Sequence, residues 1–371
     1  MSSRTYNIIS ADDHVQEPPD TWQSRVPAKL KERAPKIVST PAGDAWEVDG
    51  RRQTALGLGA QAGRKYEDYK ATGDTYGTIR KGTFDPGERL KDMAIDGIDA
   101  QVLFPNLAIG CLYAIKDFEL QLACLRAYND FLSDFCSVAP QNLIGVGLLP
   151  TDDVAEAVKE IARVAKLPGM RGVLVPTYPG KSSLEDSIYE PIWAAAQDHA
   201  LPMHIHLITG TGSKNERFSQ LGSASALCAE MVNHSMACYE TLSRLIFAGV
   251  FERYPKLKFV SVEGNIGWIG YFLGKCDMVY RRHRYWTKLD LPKTPSEYFR
   301  QSIYATFIED KVGVRIADMI GEDNLMWSSD YPHTDTTWPN SRKFIEEQFA
   351  GMPERLKHKI IAGNAQRLYN L

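Results

Sequence analysis

Both a strong charge excess and long apolar runs are missing from this sequence. The chain of 371 residues has 43 basic and 46 acidic side chains and a net charge of −3. Nucleic-acid-binding domains are usually strongly basic, so this balance argues against a nucleic-acid partner. No run of about 18 apolar residues occurs, and we therefore expect no membrane-spanning helix. The first residues also lack an apolar segment, so we expect no signal peptide.

Cysteine is scarce, and its spacing forms no recognisable framework. The six cysteines include no C-x-x-C pair, which argues against a zinc knuckle or a disulfide scaffold. We therefore expect reduced, mostly buried thiols and a cytoplasmic protein. A Gly-rich phosphate loop after the first predicted strand is also missing, which disfavours the main alternative fold, an open doubly wound sheet.

What the sequence does contain is a regular alternation of apolar strands and amphipathic helices. Eight such strands predict an α/β protein, a (β/α)8 TIM barrel that forms a single domain over residues 1–371. Residues 20–85 are polar and loop-rich, and we interpret them as an insertion that serves as a lid or covers the side of the barrel. Within them, VDGR at 48–51 predicts a hairpin turn. The strands are expected at 6–10, 99–105, 143–150, 171–176, 201–207, 257–264, 303–308 and 324–330, and the helices at 86–97, 117–138, 153–165, 185–199, 219–253, 266–285, 341–350 and 353–371.

Side chains that bind metals or move protons fall at the carboxyl ends of these strands, which meet at one mouth of a barrel. Residues two apart on a strand share a face, so Asp12 and His14 can point at one ion while Asp13 points away. Buried without partners, such groups would cost several kcal/mol each, and a divalent cation would supply the partner. Later strands contribute further ligand-type groups at the same mouth, namely His204, His206, Glu263 and Asp330.

Imidazole and carboxylate ligands suit Zn²⁺, Mn²⁺ or Fe²⁺, and we expect Zn²⁺ first, with one ion or two. His204 lies one layer deeper than His206 and is better explained as a hydrogen-bonded core histidine. His333 is either a ligand or a substrate contact. Aromatic residues that could line an apolar pocket, or simply belong to the core, are Phe104, Tyr178, Trp268, Phe307 and Trp338. For substrate binding we select His333, Trp268, Phe307 and Trp338.

With these residues identified, nearly the whole chain resembles the amidohydrolase-related family, which includes aminocarboxymuconate-semialdehyde decarboxylase and the γ-resorcylate type of aromatic-acid decarboxylase. Each matching motif is short, but together and in this order they are specific. They are ISADDHVQEPP (9–19), RLKDM (89–93), DAQVLFP (99–105), GVLVP (172–176), LPMHIH (201–206), PKLKF (255–259) and SDYPH (329–333).

The resemblance implies a metal held by Asp12, His14, His206 and Asp330. Many members carry a histidine acid/base at the end of strand six, where this chain has Glu263. Strand four has no lysine, so a carboxylated-lysine bridge between two metals is excluded. The resemblance also implies a small-molecule substrate and a homo-oligomer, and a hetero-oligomer with a related subunit stays open.

Three reactions follow from such a site. In hydrolysis, Asp330 takes the proton of a metal-activated water. In non-oxidative decarboxylation, Glu263 protonates the carbon that loses its carboxylate. If Glu263 is itself a ligand, a dinuclear iron or manganese oxygenase is the further alternative. We expect a hydrolase or decarboxylase of a small carboxylate- or carbonyl-containing substrate, with catalytic roles for Asp330, Glu263 and His206. The non-enzymatic alternative is a partner subunit with a structural metal.

Overall fold

Eight parallel strands, in the order in which they occur along the chain, form the central sheet. A computed structural model describes residues 4–54, 56–106, 108–179, 182–207, 209, 223–234 and 237–371. The sheet contains β1 and β5–β11, and β2–β4 form a separate antiparallel sheet. The strands are β1 (Ile9–Val15), β2 (Lys36–Thr40), β3 (Gly43–Val48), β4 (Arg51–Thr54), β5 (Ala100–Pro105), β6 (Leu143–Leu148), β7 (Met170–Leu174), β8 (Met203–His206), β9 (Phe259–Val262), β10 (Ile303–Phe307) and β11 (Leu325–Trp327).

The sheet closes on itself through main-chain hydrogen bonds between β1 and the segment after β11. Asp330 N donates to Asp12 O at 3.0 Å, and His14 N donates to Tyr331 O at 2.6 Å. The predicted (β/α)8 barrel is therefore confirmed, and the open-sheet alternative is wrong. The strand interiors are apolar because both of their faces are covered; every residue of β6, for example, is buried.

Helices surround the barrel, and several begin at the acidic residues that the sequence offers as caps. Asp85, Asp117 and Asp153 each accept a hydrogen bond from the first turn of the helix that follows. Among the described residues, no helix is both long enough and apolar enough to cross a membrane. The α-helices are Pro86–Asp96, Ala108–Cys111, Phe118–Ser137, Val154–Val164, Glu190–Asp198, Ala224–His234, Ala237–Phe247, Val250–Arg253, Gly267–Thr287, Pro295–Ser302, Lys311–Arg315, Ala317–Ile320, Ser341–Gln348, Glu354–His358 and Asn364–Tyr369, and a π-helical turn, Lys359–Gly363, joins the last two.

The insertion at residues 20–85 is more ordered than its polar sequence suggests. Strands β2–β4 form its small sheet, and Asp49 and Gly50, with φ of 48° and 77°, make the predicted hairpin turn between β3 and β4. Two positive φ angles match the twist of adjacent antiparallel strands. The buried Trp46 ring packs edge-on against Trp22 at 5.1 Å. Trp22 Nε1 in turn donates to Cys124 O at 3.0 Å, which attaches the insertion to the helix Phe118–Ser137.

The remaining differences from the sequence prediction concern element ends and the helices that it left unassigned, Ala108–Cys111, Pro295–Ser302, Lys311–Arg315 and Ala317–Ile320. The strand predicted at 324–330 is β11, and it stops at Trp327, before Asp330. The chain leaves the sheet after Trp327 and turns at Asp330, whose φ is 53°. Pro295–Ser302 is a helix that the sequence prediction left unassigned, although Thr294 and Glu297 form a capping box there. Residues 219–222, 235 and 236 of the predicted 219–253 helical region lie outside the described residues.

Candidate metal centre

The barrel brings side chains from four strand ends to one point. Asp12 and His14 come from β1, and His206 is the last residue of β8. Glu263 follows β9 directly, and Asp330 lies three residues beyond β11. Ligand atoms of Asp12, His14, His206 and Glu263 lie within 4.8 Å of one another, and so do those of His14, Asp330 and His333. The predicted ligand residues therefore form one cluster that shares His14.

A bulge in β1 helps to aim the two ligand-type residues of that strand. The register with β5 shifts between Ser10 and Asp13, so that one extra residue is accommodated on β1. Such bulges bend a strand and redirect its side chains, and they are frequent next to active sites. Asp12 and His14 turn toward the cluster, while Asp13 makes its contacts elsewhere, as the strand pattern predicts.

The two histidines face each other with the same ring nitrogen. His14 Nδ1 lies 2.9 Å from Pro105 O, and this contact assigns the proton to Nδ1 because a carbonyl only accepts. His14 Nε2 is then an unprotonated acceptor, and it lies 3.2 Å from His206 Nε2. The carboxylate of Asp12 lies 3.7 Å from the first Nε2 and 3.5 Å from the second. Two ring nitrogens and a carboxylate oxygen thus converge on one point.

The carboxylates of Asp12 and Asp330 are fully buried. Among the described residues, none donates a hydrogen bond to any of their four oxygens. Asp330 Oδ1 lies 3.5 Å from His14 Nε2 and 3.1 Å from His333 Nδ1, too poorly aligned to count as hydrogen bonds. Unpaired buried charges are costly, so this arrangement needs a positive partner.

The pKa shifts within the cluster also indicate a site for a positive ion. Burial and the neighbouring Asp12 raise the pKa of Asp330 well above its usual range. Burial, His333 and His206 lower the pKa of His14, which keeps that ring neutral. Burial and Asp330 raise the pKa of Glu263 to about 8. At His206 the opposing effect of burial is outweighed by the carboxylates of Asp12 and Glu263, which raise its pKa. The neutral His14 imidazole and the mutually repelling carboxylates suit a divalent cation, and a bound ion would reverse the shift at Asp330.

Glu263 is held at the cluster by an uncommon backbone conformation. Its φ is 62°, and that of Asn265 is 53°; a left-handed residue other than glycine costs about 1–3 kcal/mol and is typical of functional sites. Glu263 N donates to Thr306 Oγ1 at 2.8 Å, which fixes the turn. The carboxylate then lies 3.4 Å from His206 Nδ1. The Glu263 side chain thus approaches His206 at Nδ1, whereas His14 approaches the same ring at Nε2.

Of the residues selected for substrate binding, His333 lies inside the cluster, whereas Trp268 and Phe307 make their contacts elsewhere. The ring of His333 stacks on His14 at 3.9 Å, inside the cluster. Trp268 Nε1 donates to Gly264 O at 2.8 Å, which ties that ring to the loop after Glu263. Phe307 is fully buried, and its ring lies 6.5 Å from Phe349 in the packing between barrel and helices. Phe307 is therefore not placed against the cluster.

Trp338 also lies in a separate apolar group rather than against the cluster. It packs with Ala62 and Tyr331, its Nε1 donates to Asp92 O at 3.0 Å, and Arg80 covers its ring at 4.3 Å. Phe104 does lie beside the cluster, with its ring 5.3 Å from that of His206 and 6.2 Å from that of His14.

His204 is a hydrogen-bonded core residue, the reading that the sequence favoured. Its ring nitrogens lie 3.1 Å from Val173 O and 2.8 Å from Tyr369 Oη. A side chain on Gly172 would place a Cβ 2.5 Å from the His204 ring, so glycine leaves the space that this ring occupies. Both nitrogens of His204 are thus occupied within the core, which leaves His206 as the ligand-type residue of β8.

Sequence reasoning missed the support beneath Asp330. Asp13 Oδ1 accepts hydrogen bonds from Ser329 Oγ at 2.5 Å and from Tyr331 N at 2.9 Å. The residues on both sides of Asp330 are thus held by one carboxylate. The buried Arg89 donates to His14 O at 2.6 Å, and its guanidinium lies 4.4 Å from the Tyr331 ring. The sequence shows Asp13 as a second acid beside Asp12, but it does not show what Asp13 binds, because its partners lie more than 300 residues away in the chain.

A closed parallel barrel with acids and imidazoles converging at the carboxyl ends of its strands defines the class of metal-dependent barrel enzymes. The sequence profile of the amidohydrolase family matches residues 75–371. The chain therefore belongs to the amidohydrolase family, as the sequence motifs predict.

Two relatives in sequence are decarboxylases. The γ-resorcylate decarboxylase of Polaromonas sp. is 26% identical over 302 residues, which is 76% of this chain and 86% of the relative. The 2-amino-3-carboxymuconate-6-semialdehyde decarboxylase of Dictyostelium discoideum is 23% identical over 300 residues, 81% of this chain and 80% of that one. Neither relative supports the oxygenase or the partner-subunit alternative.

A solved structure with the same fold is 5-carboxyvanillate decarboxylase from Novosphingobium aromaticivorans, complexed with manganese and 4-hydroxy-3-methoxy-5-nitrobenzoic acid. Its TM-score is 0.72 at 20% identity, and the match covers 100% of this chain and 98% of that one. This likeness concerns the fold. The metal in that structure is manganese, so our expectation of zinc finds no specific support.

Proposed function

We propose that this protein is a metal-dependent, non-oxidative decarboxylase of a small aromatic or unsaturated carboxylate. The observation that carries the proposal is the pair of buried carboxylates, Asp12 and Asp330, whose oxygens accept no hydrogen bond from the described residues. The decarboxylase activity of the two relatives in sequence supports this reaction over the others.

In this proposal Asp12, His14, His206 and Asp330 hold the metal. A divalent cation bound there supplies the positive charge that offsets two buried carboxylates and attracts the carboxylate of a substrate. His333, stacked on His14, contacts the substrate from the loop that carries Asp330. Burial of the cluster keeps water from competing for these contacts, which strengthens each electrostatic interaction.

Glu263 moves the proton. Decarboxylation breaks the bond between the carboxyl carbon and its neighbour, CO₂ leaves, and the electron pair stays on the neighbouring carbon. That carbon then takes a proton from the Glu263 carboxyl, which water protonates again for the next turnover. The balance needs no oxidant and no organic cofactor. General acids positioned in this way contribute about 10²–10⁴-fold to a rate.

Hydrolysis of an amide, ester or lactone is the second candidate. The contact that favours it is the 3.1 Å approach of His333 Nδ1 to Asp330 Oδ1, since it places an imidazole beside a carboxylate that could accept a proton from water. In this scheme Asp330 is the base, and Glu263 is left without a proton to deliver to carbon.

The deciding experiment follows both products in heavy water. Protein loaded with Mn²⁺ is incubated in D₂O with γ-resorcylate and related hydroxybenzoates, and with phenyl esters and lactones. We expect CO₂ release with one deuterium at the carbon that carried the carboxylate, detected by NMR, and no turnover by an Asp12→Asn, Asp330→Asn control. Ester or lactone cleavage without CO₂ release would establish the hydrolase instead. Turnover of neither class with metal bound would overturn both assignments.

A further inference from the structure

A cavity lies against the two loops that carry Glu263 and His333 of the candidate metal centre. It has a volume of about 590 Å³, which is in the range of small-molecule pockets. Asn265 and Thr334 line it, and these residues follow Glu263 and His333 closely in the chain. We call this cavity the outer groove. Its apolar wall consists of Leu58, Tyr66, Tyr69, Leu227, Met231 and Ile308.

Three separate parts of the chain build that wall. The insertion supplies the two tyrosines, whose rings meet edge-on at 5.7 Å. The helix Ala224–His234 supplies Met231, and the loop after β10 supplies Ile308. Tyr66 is 72% exposed and Met231 is 41% exposed. Large apolar side chains left open to solvent around a concavity are typical of a ligand-binding surface.

The charged residues that line the outer groove, among those described, are acidic. Its lining includes the carboxylates of Glu309 and Asp335, and among the described lining residues none is lysine, arginine or histidine. A negatively charged group entering here would meet these two acids and, among the described lining residues, no basic side chain. An uncharged or positively charged group would meet none of this repulsion.

We propose that the outer groove binds the part of the substrate that lies away from the reacting carboxylate, and that it selects an apolar arm that is neutral or cationic. This inference rests on the decarboxylase proposal and specifies its substrate class: a carboxylate at one end and an aliphatic or aromatic arm at the other. Compounds with a second carboxylate at the far end are disfavoured.

The test measures binding rather than turnover. Dissociation constants of the Mn²⁺-loaded protein are measured by calorimetry for benzoate, 4-butylbenzoate, 4-(4-aminobutyl)benzoate and 4-(3-carboxypropyl)benzoate. We expect the butyl compound to bind about tenfold tighter than benzoate, because each buried methylene is favourable. We expect the carboxypropyl compound to bind more weakly than the aminobutyl compound.

Substitutions on the groove should change this order in a defined way. Glu309→Lys should reverse the preference between the aminobutyl and carboxypropyl compounds, and Met231→Ala should weaken the butyl compound while leaving benzoate unchanged. The matched control is Asp198→Lys, since Asp198 is an exposed acid that precedes β8 at the opposite end of the barrel. Both Glu309 and Asp198 are exposed, so folding should tolerate either change.

The outcomes separate the groove from the reaction. The expected order of affinities without CO₂ release from any carboxylate would retain the groove and remove the decarboxylase assignment. CO₂ release with equal affinities for all four compounds, or an order that Glu309→Lys leaves unchanged, would overturn the role of the groove while the reaction stands.

Discussion

Asp330 N donates a hydrogen bond to Asp12 O at 3.0 Å, so the two acids whose side chains share the candidate site are also joined through the main chain. This contact is one of those that close the barrel between β1 and the segment after β11. The main-chain contacts that close the barrel therefore also place these two acids next to each other.

Removing one of these charges should affect metal-free and metal-loaded protein in opposite ways. Asp330→Asn should stabilise the metal-free protein by about 1–3 kcal/mol, because the amide can donate to Asp12 and the repulsion is lost. The same variant should lose the stabilisation of about 2.7 kcal/mol that a ligand gives at 100 times its dissociation constant. Chemical unfolding with and without Mn²⁺ measures both. A metal-free variant less stable than the parent protein would show that the two acids do not repel.

His206→Ala should remove most of the bound metal and abolish turnover. The variant loses an imidazole whose Nε2 lies 3.2 Å from His14 Nε2, and the metal affinity should fall by more than the roughly 10–100-fold typical of supporting residues. Elemental analysis of protein dialysed against Mn²⁺ measures the metal content, and we expect one ion per chain in the parent protein. Full metal content in the variant would exclude His206 as a ligand, and two ions per parent chain would revive the dinuclear alternative.

Tyr369→Phe tests the assignment of His204 to the core. It removes the partner of His204 Nε2 at 2.8 Å and should cost about 1 kcal/mol of folding free energy. Metal content should match that of the parent protein, in contrast to His206→Ala. A parallel loss of metal would instead place His204 among the groups that control the ion.

Glu263→Gln separates proton transfer from metal binding. The amide keeps the size of the side chain but cannot deliver a proton at neutral pH, so we expect the turnover number to fall by about 10²–10⁴-fold. Metal content should remain unchanged, as it should in the exposed control Glu354→Gln, whose rate should also equal that of the parent protein. Loss of bound ion from Glu263→Gln would make this residue a ligand.

Asp13 should act on the site through Asp330. Its Oδ1 holds Ser329 and Tyr331, so Asp13→Ala should lower metal affinity by about 10–100-fold without removing any ligand. Asp13→Asn keeps an acceptor oxygen and should restore much of that affinity. Metal titration of both variants tests this pair; equal losses in the two would mean that the charge of Asp13, and not its hydrogen bonds, matters.

The sequence predicted the barrel well because its strands are buried on both faces and its helices carry local caps such as Asp85 and Asp153. It predicted the cluster because strand ends converge in any parallel barrel. It could not predict that Phe307 faces Phe349, since a buried aromatic on a strand can point to either side. The hydrogen bond between Asp13 and Ser329 could not be predicted either, because it joins residues 316 positions apart in the chain.

The insertion is fastened to the segment that bears Asp330 and His333. Thr334 N donates to Leu58 O at 3.1 Å, Gln61 N donates to Pro332 O at 2.9 Å, and Tyr69 Oη donates to Thr334 O at 2.9 Å. Any rearrangement that widens the outer groove should therefore pull on the backbone beside Asp330, which we propose as a metal ligand. The two proposals together predict that substrate range and retention of the ion evolve as linked traits, so that variants selected for bulkier substrates show altered metal affinity even when every proposed ligand is intact.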